Sequence, residues 1–214
     1  AGSYLKSSGG KAPGPEPLKK ALTNIRKILD KALKDGQTKL SPIQAYDIVM
    51  HTADAVISGG VRRSATICVF SPDDTEMATA KTGTWFIDNP QRGRSNNSAL
   101  LLRDETTKEQ FSELMKSVKE FGEPGFVWSD STELLVNPCV EIGMWPVCEK
   151  TKESGWQACN LSTINCAEIK TEQDFFDACR AATIIGTLQA GFSEFEYLGG
   201  ASERIIAREA LLGV

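Results

Sequence analysis

Apolar residues recur at steps of three and four in four stretches of the chain, which predicts four long amphipathic helices. The predicted core face of the second helix is Ile43, Ala45, Ile48, Val49, Ala53 and Val56, and that of the fourth is Phe175, Cys179, Ala182, Ile185 and Leu188. Capping residues and helix breakers indicate where these helices begin and end. Pro42 lies in the first turn of the second helix, and Thr171 and Asp174 form a capping box at the start of the fourth. We expect helices at residues 17–35, from Ser41 to Gly59-Gly60, at 106–121 and from 171 onward, with a short helix at 71–80 capped by Ser71-Pro72.

Between the helices lie short runs of β-branched and apolar residues that predict buried strands. They cover residues 64–70, 97–102 and the segment "FVWS" at 126–129. Residues 129–170 have little helical periodicity. Helices that alternate with short buried strands are typical of an α/β fold, which is the predicted class.

Composition narrows the function classes. The formal net charge of −4 argues against non-specific nucleic-acid binding, and no apolar run reaches the roughly 20 residues of a membrane span. The chain shows no signal peptide, so its six cysteines are interpreted as free thiols in the cytoplasm. Because the chain starts without Met and stops within an apolar segment, we expect it to be one piece of a longer protein.

The segment "NPCVEI" carries the most specific candidate chemistry. Asn137, Cys139 and Glu141 alternate along it, and in an extended loop alternate side chains point to the same side. A thiol would then lie between a hydrogen-bonding amide and a proton acceptor. The alternative is a core cysteine with surface neighbours, and a second thiol, Cys159 in "ACNLSTIN", weakens that alternative.

Two glycine-rich segments could bind phosphate, although each has an ordinary interpretation. In "SSGGKAPGPEP", backbone amides around Lys11 could hold a phosphate, or the segment is a surface loop. In "GGVRRSA", Arg62 and Arg63 could reach a phosphate or a base, or they are solvated residues after a helix C-cap. The single histidine, His51, lies in a helix and is expected to pack or face solvent, which disfavours Ser-His-Asp hydrolysis.

Seven segments together resemble the large, catalytic subunit of ribonucleotide reductases, in that family's order. They are "SSGGKAPGPEP", "GGVRRSA", "RSNNSALL", "GEPGF", "NPCVEI", "ACNLSTIN" and "IGTLQAGF". The resemblance is greatest to the adenosylcobalamin-dependent, class II enzymes. It implies part of a ten-stranded α/β barrel, with residues 71–214 forming barrel core around a finger loop at 137–142.

The resemblance also implies residue roles. Cys139 would become a thiyl radical that removes the 3′ hydrogen of the substrate ribose, Glu141 would accept the 3′-hydroxyl proton, and Asn137 would hydrogen-bond the sugar. Cys159 would be one of two reducing thiols, and its partner would lie outside this chain. Val140 stands where class II members commonly have Gly.

Residues 1–70 would hold the parts that sense the deoxynucleotide effector. Specificity loop 1 would include Ser8, Gly9, Gly10 and Lys11, and specificity loop 2 would include Gly60, Arg62, Arg63 and Ser64. The helix at 42–57 matches the family's dimer helix.

The implied cofactor is adenosylcobalamin, bound mainly by parts outside this chain, together with a dithiol reductant and a deoxynucleoside triphosphate effector. Implied partners are the flanking reductase segments, a ribonucleotide substrate, a thioredoxin- or glutaredoxin-type reductant and a second subunit in a homodimer, with no membrane and no direct nucleic acid. The alternatives are a class I catalytic core with a separate radical-generating subunit, or a non-catalytic nucleotide- or zinc-binding module.

Overall fold

The computed structural model describes residues 1–4, 10–56, 64–209 and 211–213. The chain divides into two compact units, Ala1–Asp130 and Ser131–Val214, and each is described by itself. The helices are α1 (Glu16–Lys34), α2 (Pro42–Ala55), α3 (Thr75–Ala78), α4 (Trp85–Asp88), α5 (Lys108–Phe121), α6 (Glu172–Ala190) and α7 (Gly200–Arg208). The strands are β1 (Thr66–Phe70), β2 (Ser95–Leu102), β3 (Gly125–Ser129), β4 (Leu135–Val136), β5 (Gly143–Met144), β6 (Cys159–Leu161) and β7 (Leu211–Gly213).

The first unit contains a parallel three-stranded sheet in the order β1-β2-β3. Thr66 pairs with Ser95 at the start of β1, and Ser98 pairs with Gly125 at the start of β3. Helix α5 provides the crossover that a parallel connection needs, and it ends at Gly122, whose φ of 76° suits a left-handed cap. The mixed α/β class and all three strands of this sheet confirm the predictions from the sequence.

One hydrophobic core joins α2 to the sheet and to α3 and α5. Its buried members are Tyr46, Met50, Phe70, Met77, Ala99, Leu101 and Leu114. The apolar stripe predicted for α2 was wrong in part, because Val49 and Val56 are exposed while Tyr46 and Met50 are buried. A polar contact accounts for this difference between the predicted and the observed buried face of α2. Asp47 faces inward on α2 and forms an ion pair with Arg92 at 2.6 Å.

Several helix starts follow local sequence signals. Ser41 and Gln44 form a capping box at the start of α2, and Thr171 and Asp174 form the predicted one at α6. The short helix α3 differs from the prediction, because its cap is Asp74 rather than Ser71-Pro72. Helix α2 ends at Ala55, earlier than the predicted end at Gly59-Gly60, and those two glycines lie outside the described residues.

The second unit consists of the antiparallel β4–β5 hairpin, a parallel β6–β7 pair and helices α6 and α7. The face predicted to be the core of α6 was wrong in part, because Ala182 is buried as predicted while Phe175, Ile185 and Leu188 are exposed. Ala182, Gly186 and Ala190 are the buried residues, whereas the large apolar side chains of the helix are exposed. These exposed side chains are Phe175, Phe176, Ile184, Ile185 and Leu188. Small residues spaced four apart allow α6 to lie close to the strands, which leaves the bulky stripe facing away.

In the part of the chain that the structure describes, no helix combines the length and apolarity that crossing a membrane requires.

Candidate active site

Residues 137–142 form the connection of the β4–β5 hairpin. Leu135 pairs with Met144 and Val136 with Gly143, so the chain reverses direction between them. The Val140 N–H donates to the Asn137 carbonyl at 2.9 Å, an i to i+3 bond that closes a β-turn. The predicted extended loop was therefore wrong, because the chain turns between Asn137 and Val140. The turn brings Asn137 and Glu141 together instead.

The side chain of Asn137 is the centre of this site, and the residue is only 3% exposed. Its Nδ2 donates to Glu141 Oε1 at 2.6 Å and to Cys159 Sγ at 3.6 Å. Its Oδ1 accepts a hydrogen bond from the Ile142 N–H at 3.1 Å. One amide thus connects the turn, the carboxylate and a thiol that lies 22 residues further along the chain.

Cys159 opens β6, which places its thiol next to the turn. Burial raises the pKa of the Cys159 thiol, and negative charge on Glu141 and Cys139 raises it further, while the hydrogen bond from Asn137 opposes them. Cys159 is therefore held as a protonated thiol at neutral pH. Cys139, by contrast, is exposed at the tip of the turn. A protonated thiol, an exposed thiol, a carboxylate and an amide donor can together donate hydrogen, accept a proton and orient a hydroxyl-bearing substrate.

Comparisons with known proteins give the family. The chain is 29% identical over 213 residues to an adenosylcobalamin-dependent ribonucleoside-triphosphate reductase of Mycobacterium phage D29, covering 85% of this chain and 29% of that protein. It is 30% identical over 175 residues to a reductase of the same name from Dictyostelium discoideum, covering 76% of this chain and 22% of that protein. A third, from Lacticaseibacillus paracasei, is 33% identical over 126 residues, covering 59% of this chain and 16% of that protein.

The chain belongs to the ribonucleotide reductase family. It spans less than a third of the length of these curated relatives. No family model matches the chain, and no solved structure matches it.

The segments predicted to be the reductase specificity loops are described only in part. Ser8, Gly9, Gly60, Arg62 and Arg63 lie outside the described residues. Lys11 is exposed and forms an antiparallel bridge with Tyr4, and its Nζ lies 5.2 Å from the centre of the Tyr4 ring. Gly10 has a φ of 76°, which favours glycine at that position, and Ser64 is half-buried before β1. The effector role of both segments stays a prediction.

A further thiol interaction, between Cys148 and Arg204, was not predicted from the sequence. Cys148 is buried, and its Sγ accepts a hydrogen bond from Arg204 Nε of α7 at 3.2 Å. That bond is the main reason that the pKa of Cys148 falls to about 6, and hydrogen bonds from Thr151 add to the effect. The two residues are 56 positions apart, so no local spacing could have revealed the pair.

The structure also describes the single histidine and the possibility of a metal site. His51 is half-buried on α2, and burial lowers the pKa of its imidazole although the carboxylates of Asp47 and Asp54 oppose that shift. Across the described residues, no group of three or more His, Cys, Asp or Glu side chains is arranged to hold a metal ion.

Proposed function

We propose that this chain is a segment of the catalytic subunit of a class II ribonucleotide reductase, which reduces ribonucleoside triphosphates to deoxyribonucleotides. The observation that supports the proposal best is the Asn137 amide, which bonds both Glu141 and Cys159 beside the exposed Cys139. In this proposal residues 71–214 are part of a ten-stranded barrel that flanking segments complete, and 137–142 is its finger loop. The names of the relatives favour this class over a class I core or a non-catalytic module.

The residues divide the reaction between them. The Cys139 thiyl radical removes the 3′ hydrogen atom of the ribose, and Glu141 accepts the proton of the 3′ hydroxyl. The 2′ hydroxyl then leaves as water, for which Cys159 and its partner thiol supply two electrons and become a disulfide. Cys139 finally returns the hydrogen atom to the 3′ carbon. The raised pKa of Cys159 suits this role because a protonated thiol can protonate the leaving hydroxyl.

Asn137 prepares the site for this chemistry. Its bond to Glu141 Oε1 holds the carboxylate in place before substrate arrives, which reduces the reorganisation needed in the transition state. When a substrate is bound, Asn137 Nδ2 would donate one of its hydrogen bonds to the sugar, so that the same amide also orients the ribose.

The thiyl radical on Cys139 has to be generated by a group other than the side chains of this chain. Adenosylcobalamin, when bound, would supply a carbon-centred radical able to take the hydrogen atom from a thiol. Cys139 fits this requirement because its thiol is exposed at the end of a hairpin. The residues that hold the corrin are expected in the flanking segments, and a dithiol protein of the thioredoxin or glutaredoxin type would reduce the disulfide afterwards.

A homodimer is proposed to form through α1 and α2, which pack against each other. Ala21 and Ala32 of α1 are buried, whereas a stripe of leucines on the same helix is exposed: Leu18, Leu22, Leu29 and Leu33. The exposed Val49 of α2 and Val56, which directly follows the helix, add to the apolar surface. Leucines that repeat at heptad-like spacing on an exposed helix face are typical of helices that pack against a helix of another subunit.

The reaction is tested by reconstitution. The 214-residue chain is combined with the flanking segments of a class II relative, and deoxynucleotide formation is measured with and without adenosylcobalamin. We expect activity only in the complete mixture and only with the cofactor. Activity without adenosylcobalamin, or none in any mixture, would contradict the proposed class.

Cys139→Ser gives the residue-level test. A hydroxyl is a much poorer radical carrier than a thiol, so this variant should abolish reduction while leaving nucleotide binding nearly unchanged. Cys166→Ser is the matched control, because Cys166 is also exposed but lies outside the turn. Substantial turnover by Cys139→Ser would refute the thiyl assignment.

A further inference from the structure

The turn that carries Cys139 contains an unfavourable backbone conformation. Val140 has a φ of 68°, and among the described residues only Lys152 shares a positive φ with it without being glycine. In the left-handed region the Cβ atom approaches the following carbonyl oxygen, and a β-branched side chain makes this worse. The usual cost corresponds to a population roughly 5- to 30-fold lower than that of an unstrained conformation.

The side chain of Val140 does not compensate for this cost, because 45% of the residue remains exposed. Asn137 provides the bonds that do. Its carbonyl accepts from the Val140 N–H at 2.9 Å, its backbone N–H donates to the Ile142 carbonyl at 3.3 Å, and its Oδ1 accepts from the Ile142 N–H at 3.1 Å. These three bonds all require the chain to turn at Val140, so they hold that residue in the left-handed region.

Cys139 lies within this closed turn, between the residue that accepts the turn's hydrogen bond and the strained residue that donates it. The direction of its side chain therefore depends on the conformation of Val140. We propose that Asn137 is a positioning residue for Cys139, and that it acts by holding Val140 left-handed so that the exposed thiol points in one direction. The meaning of this for catalysis rests on the proposed function, whereas the conformational claim concerns the chain without substrate.

The test is a rescue experiment on the 214-residue chain. Asn137→Ala removes the side-chain bond to Ile142, and adding Val140→Gly removes the strain that this bond offsets, because glycine adopts positive φ at no steric cost. Hydrogen exchange at the amide of residue 140 reports how often the turn opens. We expect Asn137→Ala to lower its protection, and Val140→Gly to restore that protection by roughly 5- to 30-fold in the double variant.

The effect on Cys139 is measured in the same variants by its rate of alkylation with iodoacetamide, relative to exposed Cys166. The ratio of the two rates should change in Asn137→Ala and return toward the wild-type ratio in the double variant. Lys152→Gly is the matched control, since it removes the other left-handed strain of the same unit without touching this turn. Combined with Asn137→Ala, it should restore neither protection nor the alkylation ratio.

Three results would overturn the proposal. They are equal rescue by Lys152→Gly, no rescue by Val140→Gly, and an alkylation ratio that stays constant while protection falls. None of these measurements requires turnover, so a failed reconstitution would refute the proposed function and leave this conformational test informative.

Discussion

Breaking the ion pair between Asp47 and Arg92 should strongly destabilise the first unit, because both side chains are largely buried. Asp47 accepts from Arg92 Nε at 2.7 Å through Oδ1 and from the terminal nitrogen Nη2 at 2.6 Å through Oδ2. Gln91 Nε2 adds a third bond to Oδ1 at 3.1 Å. The side chains of Arg92 and Asp47 are only 13% and 12% exposed, so water screens the pair weakly.

Asp47→Ala would leave the Arg92 guanidinium buried with its main counter-ion removed. Removing one partner of a buried pair typically costs about 3–5 kcal/mol, because the remaining charge loses its compensation. Arg92 keeps one bond, to the Ala80 carbonyl at 2.7 Å, which favours the lower part of that range. Asp30→Ala is the matched control. Its partner Arg26 is one helical turn away and the two side chains are 53% and 77% exposed, so about 0.3–0.5 kcal/mol is expected.

The free energy of unfolding is measured by urea titration of the wild-type chain and both variants, followed by circular dichroism. A domain is stabilised by only about 5–15 kcal/mol, so Asp47→Ala should shift the midpoint strongly while the slope stays constant. A loss below about 1 kcal/mol for Asp47→Ala, or equal losses for the two variants, would show that the pair is not held away from solvent as the structure describes.

Three further predictions concern single sites. Cys159→Ser in the reconstituted enzyme should permit one radical event but stop repeated turnover with a dithiol protein, and a steady-state rate equal to wild type would contradict the reducing role. The pKa of the Cys148 thiol is about 6 in the folded chain, below its usual value of 9.0. The thiolate therefore contributes its full stabilisation above pH 9. This stabilisation declines as the pH falls from 9 to 6, and it is lost below pH 6. Urea midpoints across this range should therefore fall more steeply in wild type than in Cys148→Ser, and parallel curves would refute the thiolate. Leu22→Glu should dissociate the proposed dimer in sedimentation experiments, whereas Lys27→Glu, on another face of α1, should not.

Local sequence signals were sufficient for most of the secondary structure. Helix α1, the strands of the parallel sheet and the capping box at Thr171 each depend on residues only a few positions apart. Such elements follow from side-chain period and from the hydrogen bonds of a helix end, and both are properties of a short segment. The family was also recognisable from its ordered motifs, and the comparisons confirmed it.

The candidate site shows where local pattern stops being informative. The alternation of Asn137, Cys139 and Glu141 suggested an extended loop, but hydrogen bonding across the β4–β5 hairpin forces a turn and a positive φ at Val140. The proximity of Cys159 was not a property of either segment, because the contact joins residues 22 positions apart.

The same distinction explains the faces of the helices. The sequence by itself determined that α6 is helical and amphipathic, because those features need only neighbours within one or two turns. Tertiary structure decided that Gly186 and Ala190 face inward while Leu188 faces outward, and it paired Cys148 with Arg204. Which face is buried depends on the shape of the surface that meets it, and a thiolate depends on a cation supplied from far along the chain. Neither is encoded in the periodicity of a single segment.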